Sequence, residues 1–345
     1  MTPDADLLII GGGPIGLAAA IEARLAGLSV IVVEPRATPV DKACGEGLMP
    51  GAVAALDRLG VYPEGHTLTG IRYLRGKVVA DHPFAVATGL GVRRTVVHAA
   101  LARRAAELGA VVVTGRGGAV EQDQSYVWCA GMRGRWLLAC DGLHSTVRRQ
   151  VDLAVQRRAT GRRFGVRKHF QVEPWTDRVE VHWGRSVEAY VTPVADDVVG
   201  VALLGPARHD FDATLEAFGA LRRHLGAAPT LGPARGAGPL HQQTRRRTAG
   251  RVRLVGDASG YVDALTGEGV RVGLAQAREA VATLEDDVHR SNAAYEKAWT
   301  AATRDYRLLT SGLITAARSP LRRGIVPLAA AAPGLYGAVV ERLAR

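Results

Sequence analysis

The feature that most constrains this chain is Gly11-Gly12-Gly13-Pro14-Ile15-Gly16, a G-x-G-x-x-G pattern lying directly after the apolar run Leu7–Ile10. It opens the Ala-rich segment Ile15–Ala26, which is followed by the β-branched run Ser29–Glu34. Strand, glycine turn, helix and strand in that order form a βαβ half-unit and begin a parallel sheet. Each glycine answers a physical need. Gly11 permits the tight turn, Gly13 lets the backbone approach a pyrophosphate, and Gly16 permits close packing of helix on strand. Free N–H groups at the helix start face the anion, so Gly11, Gly13, Pro14, Ile15 and Gly16 are candidate cofactor-binding residues. Glu34 closes the second strand at the right distance to accept hydrogen bonds from an adenosine ribose, with Arg36 flanking it. A chance glycine turn would lack this context.

At 345 residues, two interleaved lobes are a better expectation than one small core. Apolar residues are 47% and charged residues 22%, which suits an ordered α/β protein. The formal charge of +11 comes almost wholly from arginine, since Lys42, Lys77, Lys168 and Lys297 are the only lysines. No basic-aromatic patch or reader motif accompanies it, so no nucleic-acid partner is expected. Anionic cofactors, a carrier protein or a membrane surface fit the charge better. Cys44, Cys129 and Cys140 lack paired spacing, so neither a disulfide framework nor a metal site is expected. Asp4 and Asp6 stand where a signal peptide would be basic, and the apolar stretch Ile325–Val340 is broken by Pro327, Pro333, Gly334 and Gly337. The expectation is a cytoplasmic protein without a transmembrane segment, with peripheral membrane association as a further option.

Beyond the first unit the periodicity predicts a loop Pro35–Pro50, a helix Ala52–Leu59 and a strand-like excursion Thr67–Ala87. A helix Val96–Leu108, a strand Val111–Thr114, a hairpin through Trp128 and a strand Arg135–Asp141 then return to the first lobe. From about Gly161 to Leu204, alternating runs such as Arg178–Trp183 and Ala189–Val194 predict an antiparallel sheet. One helix is expected over Phe211–Leu225, a connector over Gly226–Gly238, a strand Val252–Gly256, a helix from Gly269 to Leu284, and a helical tail. The expected division is residues 1–66, 88–155 and 245–290 for a Rossmann-type domain, 67–87 and 156–244 for a substrate domain, and 291–345 for a helical C-terminal region.

Two further segments carry chemistry. Asp141-Gly142 ends one strand ahead of Ser145-Thr146 at a helix start, a turn suited to anions or hydroxyls. Gly256-Asp257 ends another, placing a carboxylate to accept hydrogen bonds from sugar-like hydroxyls. With the glycine turn, these segments resemble the flavoprotein superfamily of p-hydroxybenzoate hydroxylase-like monooxygenases and geranylgeranyl reductases, over roughly residues 1–285. The resemblance implies FAD. It implies Asp257 on the ribityl chain, Asp141 and Gly142 beside FAD and an approaching NAD(P)H, and Arg94 contacting FAD from its helix start. The continuation Leu265-Thr266-Gly267-Glu268-Gly269-Val270 looks like the reductase branch. Backbone N–H groups near Gly267, Glu268, Gly269 and Val270 would stabilise charge on reduced flavin.

Lys42-Ala43-Cys44-Gly45-Glu46-Gly47 likewise looks like the reductases' Cys-Gly segment, making Cys44 a candidate proton donor or substrate contact, or a small packing residue. The reductase pattern Tyr-x-Trp-x-Phe-Pro is only partly echoed by Tyr190-Val191-Thr192-Pro193. Arg167, His169, His182, Trp183 and Tyr190 belong to the lobe that holds substrate in such proteins. One dinucleotide fold means NAD(P)H binds transiently over the flavin. The leading expectation is a monooxygenase acting through a flavin C4a-hydroperoxide on a small aromatic or apolar molecule. The alternatives are C=C reduction of a prenyl or other apolar substrate and a non-catalytic flavin-binding module. The tail Leu308–Arg345 alternates apolar clusters with Arg318, Arg322, Arg323, Arg342 and Arg345; it reads as a helix capping the substrate lobe or as an interfacial segment.

Overall fold

The computed structural model describes residues 3–155, 162–207 and 210–345. Strand Ala5–Ile10 lies inside a sheet whose main path runs Thr248–Ala249, Val252–Leu254, Met132–Ala139, Ala5–Ile10, Val30–Glu34, Val111–Thr114. Every pair on this path is parallel except Thr248–Ala249 with Val252–Leu254. Leu7 and Ile9 pack toward helices Pro14–Leu25, Arg94–Glu107 and Gly269–Ala282, while Leu8 and Ile10 pack on the opposite face. Burial on both faces explains the unbroken apolar run, and each such side chain contributes roughly 1.5–3 kcal/mol.

Strands Gly70–Arg75 and Val78–Pro83 leave this sheet and form the edge of a second one. Its order is Arg235–Ala237, Arg163–Gln171, Val198–Pro206, Glu188–Ala195, Arg178–Trp183, Gly70–Arg75, Val78–Pro83. The pairing is antiparallel with one exception, the parallel pair Gly70–Arg75 and Arg178–Trp183. Those two strands are joined by a long passage through the first lobe rather than by a hairpin, so nothing imposes the antiparallel sense. A small sheet of Gly47–Leu48, Gly89–Gly91 and His66–Leu68 sits where the chain crosses between lobes. Gly161 and the expected boundary at residue 156 lie outside the described residues.

Two expectations change in detail. The single helix over Phe211–Leu225 is two, Phe211–Glu216 and Gly219–Leu225, because Phe218 leaves helical geometry at φ −101°, ψ 62° to pack beneath the second sheet, with Gly219 beside it. The connector Gly226–Gly238 contributes the edge strand Arg235–Ala237. The tail is a long helix Val288–Ala317, a 3₁₀ turn Pro320–Gly324, and helices Ile325–Ala331 and Pro333–Ala344. Its last helix packs on the second sheet, Tyr336 and Val340 clustering with Ala80. Arg322 does not lie on a solvated side. It is 7% exposed, and its guanidinium donates to the Glu188 carboxylate and to the carbonyls of Gly184 and Ala317. Among the described residues no single helix is long and apolar enough to cross a membrane.

Candidate functional site

The glycine turn is fixed by contacts that leave no room for side chains. Gly11 has φ +104°, and a Cβ on it would sit 2.5 Å from the Cys140 carbonyl oxygen; one on Gly16 would sit 1.9 Å from the Gly11 carbonyl oxygen. Gly13 differs. A Cβ there would meet only an Arg94 nitrogen at 3.8 Å, so its face opens onto a cavity of about 970 Å³ that Pro14 and Ile15 also line. The imidazole Nε2 of buried His98, 2.8 Å from the Gly12 carbonyl oxygen, holds the turn from behind.

Glu34 accepts from the Gly12 N–H at 2.9 Å and from the Arg36 side chain at 2.6 Å. Burial would raise its carboxyl, but Arg36 and the Gly12 amide hold it below the ordinary range, so it is an ionised acceptor at the cavity wall. Lys42, which sequence reasoning left without a role, faces the same space. Burial lowers its ammonium, and the positive charges of Arg36 and Arg94 lower it further. Arg94 begins helix Arg94–Glu107 and leaves its Nε buried without a partner. Three mutually repelling cations beside an open glycine turn are arranged for a polyanion.

The other two segments meet this wall. Asp141 spends one carboxylate oxygen on the N–H groups of Thr146 and Val147, at 2.7 and 3.2 Å, while its other oxygen is buried and unpartnered. Gly142 follows with φ +79°. Gly256, at φ +64°, donates its N–H to Gln276 at 2.7 Å and turns Asp257 into the cavity. Among the described residues no donor bonds the Asp257 carboxylate; burial raises it, against the pull of Lys42, Arg94 and Arg148. Buried Arg148 ties the two segments together by donating to the carbonyls of Leu143 and Ala258 at 2.9 and 3.1 Å. This clamp was not read from the sequence.

Gly267, at φ +72°, Gly269 and Val270 line the cavity where helix Gly269–Ala282 begins, and the first amides of that helix have no partner within it. Glu268, placed among the catalytic candidates, does not line it. The Glu268 carboxylate is 1% exposed, bonded to Arg271 Nε at 3.1 Å, with its other oxygen buried and unpartnered. Burial pushes its carboxyl up from 4.5 to about 7, Arg271 only partly opposing. A carboxyl raised on folding stabilises the native state below its unfolded value and loses that contribution as pH rises through the folded one. Stability should therefore fall between pH 4.5 and about 7, by on the order of 2–3 kcal/mol from this group. Glu268→Gln should flatten that slope in urea melts at several pH values; an unchanged slope would contradict the assignment.

The Cys44 loop carries a second buried network. Glu46, a non-glycine residue at φ +60°, accepts from the Arg94 N–H at 2.9 Å and lies 2.6 Å from His169 Nε2. Arg167 Nη1 lies 3.0 Å from His169 Nδ1, and its Nη2 donates to Asp41 at 2.6 Å. Arg167, Glu46 and Cys44 line the cavity, while His169 stands behind them. Burial and then the Glu46 charge push the Cys44 thiol up, against Arg94 and Arg167, so it stays protonated. Of the remaining candidates, Tyr190 lines the cavity with its hydroxyl donating to the Leu265 carbonyl at 2.8 Å. His182 points away, bonded to Glu180, because Val179 and Val181 take the cavity face of that strand. Trp183 packs under Arg322.

A family described as an FAD binding domain matches residues 4–293. The chain belongs to this family. It is 30% identical over 321 residues to a menaquinone reductase of Mycolicibacterium smegmatis, covering 81% of this chain and 76% of that protein. It is 26% identical over 304 residues to digeranylgeranylglycerophospholipid reductase 1 of Methanothermobacter thermautotrophicus, covering 79% and 75%. In fold it matches p-nitrophenol 4-monooxygenase PnpA of Pseudomonas putida DLL-E4 with a TM-score of 0.80 at 18% identity, over 100% of this chain and 99% of that one.

The residues fit FAD. The open face of Gly13 with the cations Lys42 and Arg94 suits the pyrophosphate, ionised Glu34 a ribose, and the donor-free Asp257 carboxylate a chain of hydroxyls. Gly269 and Val270, whose amides have no partner within their own helix, line the cavity where the ring would lie. From there the cavity of this FAD-binding protein continues between the second sheet and the C-terminal helices. Its walls include Val179, Val181, Leu204, Leu309, Leu313 and Val339. Tyr73, unmarked by sequence reasoning, also lines it, and burial raises its phenol to about 12. The lining beyond the FAD residues is thus mostly apolar, with the phenols of Tyr73, Tyr190 and Tyr261 among it.

Proposed function

We propose that this FAD-dependent oxidoreductase saturates a carbon–carbon double bond of an elongated apolar substrate, with NAD(P)H as transient reductant. The observation that carries the reading is the continuity of one cavity from Cys44 and the Gly267–Val270 turn into the apolar space under the C-terminal helices. Relatives matched over about four-fifths of this chain bear reductase names, which supports reduction over the hydroxylation expected from the single dinucleotide fold.

Bound FAD supplies the hydride and accepts it from NAD(P)H. The chain supplies the rest. Arg94, Lys42 and Asp257 hold and orient the cofactor, the apolar walls exclude water, and the protonated Cys44 thiol faces the cavity as the proton source for the second carbon. Cys44→Ser should lower turnover on the order of 10²-fold while FAD occupancy stays unchanged, since the change removes the thiol and leaves Arg94, Lys42 and Asp257 in place. A serine variant at the wild-type rate would return Cys44 to a packing role. Consumption of NAD(P)H in the presence of apolar alkenes should proceed equally with and without oxygen. Strict dependence on oxygen would favour hydroxylation, and no consumption with either nucleotide would favour a flavin-binding module.

A further inference from the structure

We propose that the mouth of the apolar cavity docks on an anionic phospholipid bilayer through the C-terminal helices. The face stands on its own residues; only its purpose, substrate entry, rests on the reading above. Leu308, Leu328 and Leu335 line the cavity and yet are 70%, 62% and 61% exposed, which places them at its rim. Leu321, in the adjoining 3₁₀ turn, is 70% exposed. Large apolar side chains gathered at one opening exceed the scattered leucines of an ordinary surface.

Charge selects the occupant. Residues 306–340 contain no Asp, Glu, Lys or His, and their only charged side chains are Arg307, Arg318, Arg322 and Arg323. Arg322 is consumed by Glu188, whereas Arg323 is exposed. The acids at either end are engaged, Asp305 by Arg342 at 2.7 Å and Glu341 by the Ala85 N–H at 2.9 Å and His82 Nε2 at 3.1 Å. Nothing anionic is therefore offered on this face, and an apolar surface set among arginines complements anionic headgroups over their acyl boundary.

The shape fits an interface and not a span. Segments Pro320–Ala331 and Pro333–Ala344 together are apolar enough for a membrane, but they bend by 101° at Ala332. A spanning helix needs roughly 20 residues in line, so such a bent pair lies in the headgroup region with its leucines downward. The cavity mouth would then open toward the acyl chains, letting a lipid-soluble molecule enter without crossing water.

The holoprotein should co-sediment with phosphatidylglycerol/phosphatidylcholine vesicles at low salt, less at high salt, and weakly with phosphatidylcholine alone. Leu328→Asp with Leu335→Asp should lower the apparent affinity at least about ten-fold, and Arg323→Glu about five-fold per charge removed. Leu25→Asp, at an exposed leucine on the other lobe, should leave binding unchanged. Flavin absorbance and circular dichroism confirm that each variant is folded. A holoprotein that stays in the supernatant with anionic vesicles at low salt overturns the proposal. So does equal binding by the double leucine variant, or light scattering that shows a dimer dissociated by that variant, since a second copy would then cover the face. The vesicles carry no substrate, so failure of the proposed reduction leaves this result untouched. Intact reduction in detergent without vesicle binding would remove docking alone.

Discussion

Gly16→Ala should yield a protein that is colourless or scarcely folded. The added Cβ would stand 1.9 Å from the Gly11 carbonyl oxygen and 3.2 Å from the Cys140 side chain, and neither the turn nor the neighbouring strand can retreat without losing the other. Overpacking of this kind costs about 1–3 kcal/mol where side chains can give way, and more where backbone must move. Here the backbone that moves is the turn facing the pyrophosphate. Loss of flavin should therefore exceed the loss of stability, and the ratio of absorbance at 450 to 280 nm (about the usual flavin and protein bands) measures it against the melting curve. A yellow Gly16→Ala protein with unchanged occupancy would mean that the turn does not carry the cofactor.

Glu188→Ala should be the most damaging change away from the cofactor. Glu188 is fully buried and holds Arg163 at 2.6 Å with one oxygen and Arg322 with the other, while Arg163 also reaches Asp263 at 3.1 Å. Burial works against the Arg163 charge, yet the two carboxylates raise its guanidinium above the ordinary value, so the cluster is mutually dependent. Removing its centre leaves Arg322 buried without a carboxylate and Arg163 with Asp263 alone, at about 3–5 kcal/mol. Because Arg322 belongs to the turn Pro320–Gly324, the loss should loosen the helices that roof the cavity before the whole protein unfolds. Urea melts combined with limited proteolysis between residues 317 and 333 measure both effects; wild-type stability and an intact tail would contradict the arrangement.

What the sequence made legible were features written in backbone geometry over short spans. Gly11, Gly13, Gly16, Glu34, the Asp141-Gly142 turn and the Gly256-Asp257 turn each need a particular residue at a particular step along one strand and its turn, and all but Gly16, which packs against the Gly11 carbonyl, face the cavity. The networks that finish the site join residues far apart in the chain. Glu46 with His169, Arg148 with Gln242, and Glu188 with Arg322 are separated by 123, 94 and 134 positions, and no local pattern states which way such side chains point. The same limit explains Glu268 and Arg322. A charge beside a glycine turn, or on an apolar helix, reads as exposed until a partner from another element is seen to bury it. Alternation along Arg178–Trp183 did carry the needed information for His182, since Val179 and Val181 could be assigned to one face, but not which face met the cavity.

Three cations around an open glycine turn, a protonated thiol, and an apolar channel leading outward are the features on which the proposed reduction of a lipid-like alkene rests. The most direct measurement is a single turnover of chemically reduced holoprotein with a polyprenyl alkene, in deuterated water and without oxygen, followed by mass spectrometry. The account predicts a product that has gained two deuterium atoms and no oxygen, because the transferable hydrogen of reduced flavin exchanges with solvent as the thiol hydrogen does, and that forms about 10²-fold more slowly in Cys44→Ser. A product that forms only when oxygen is admitted, and that has gained an oxygen atom, would contradict it.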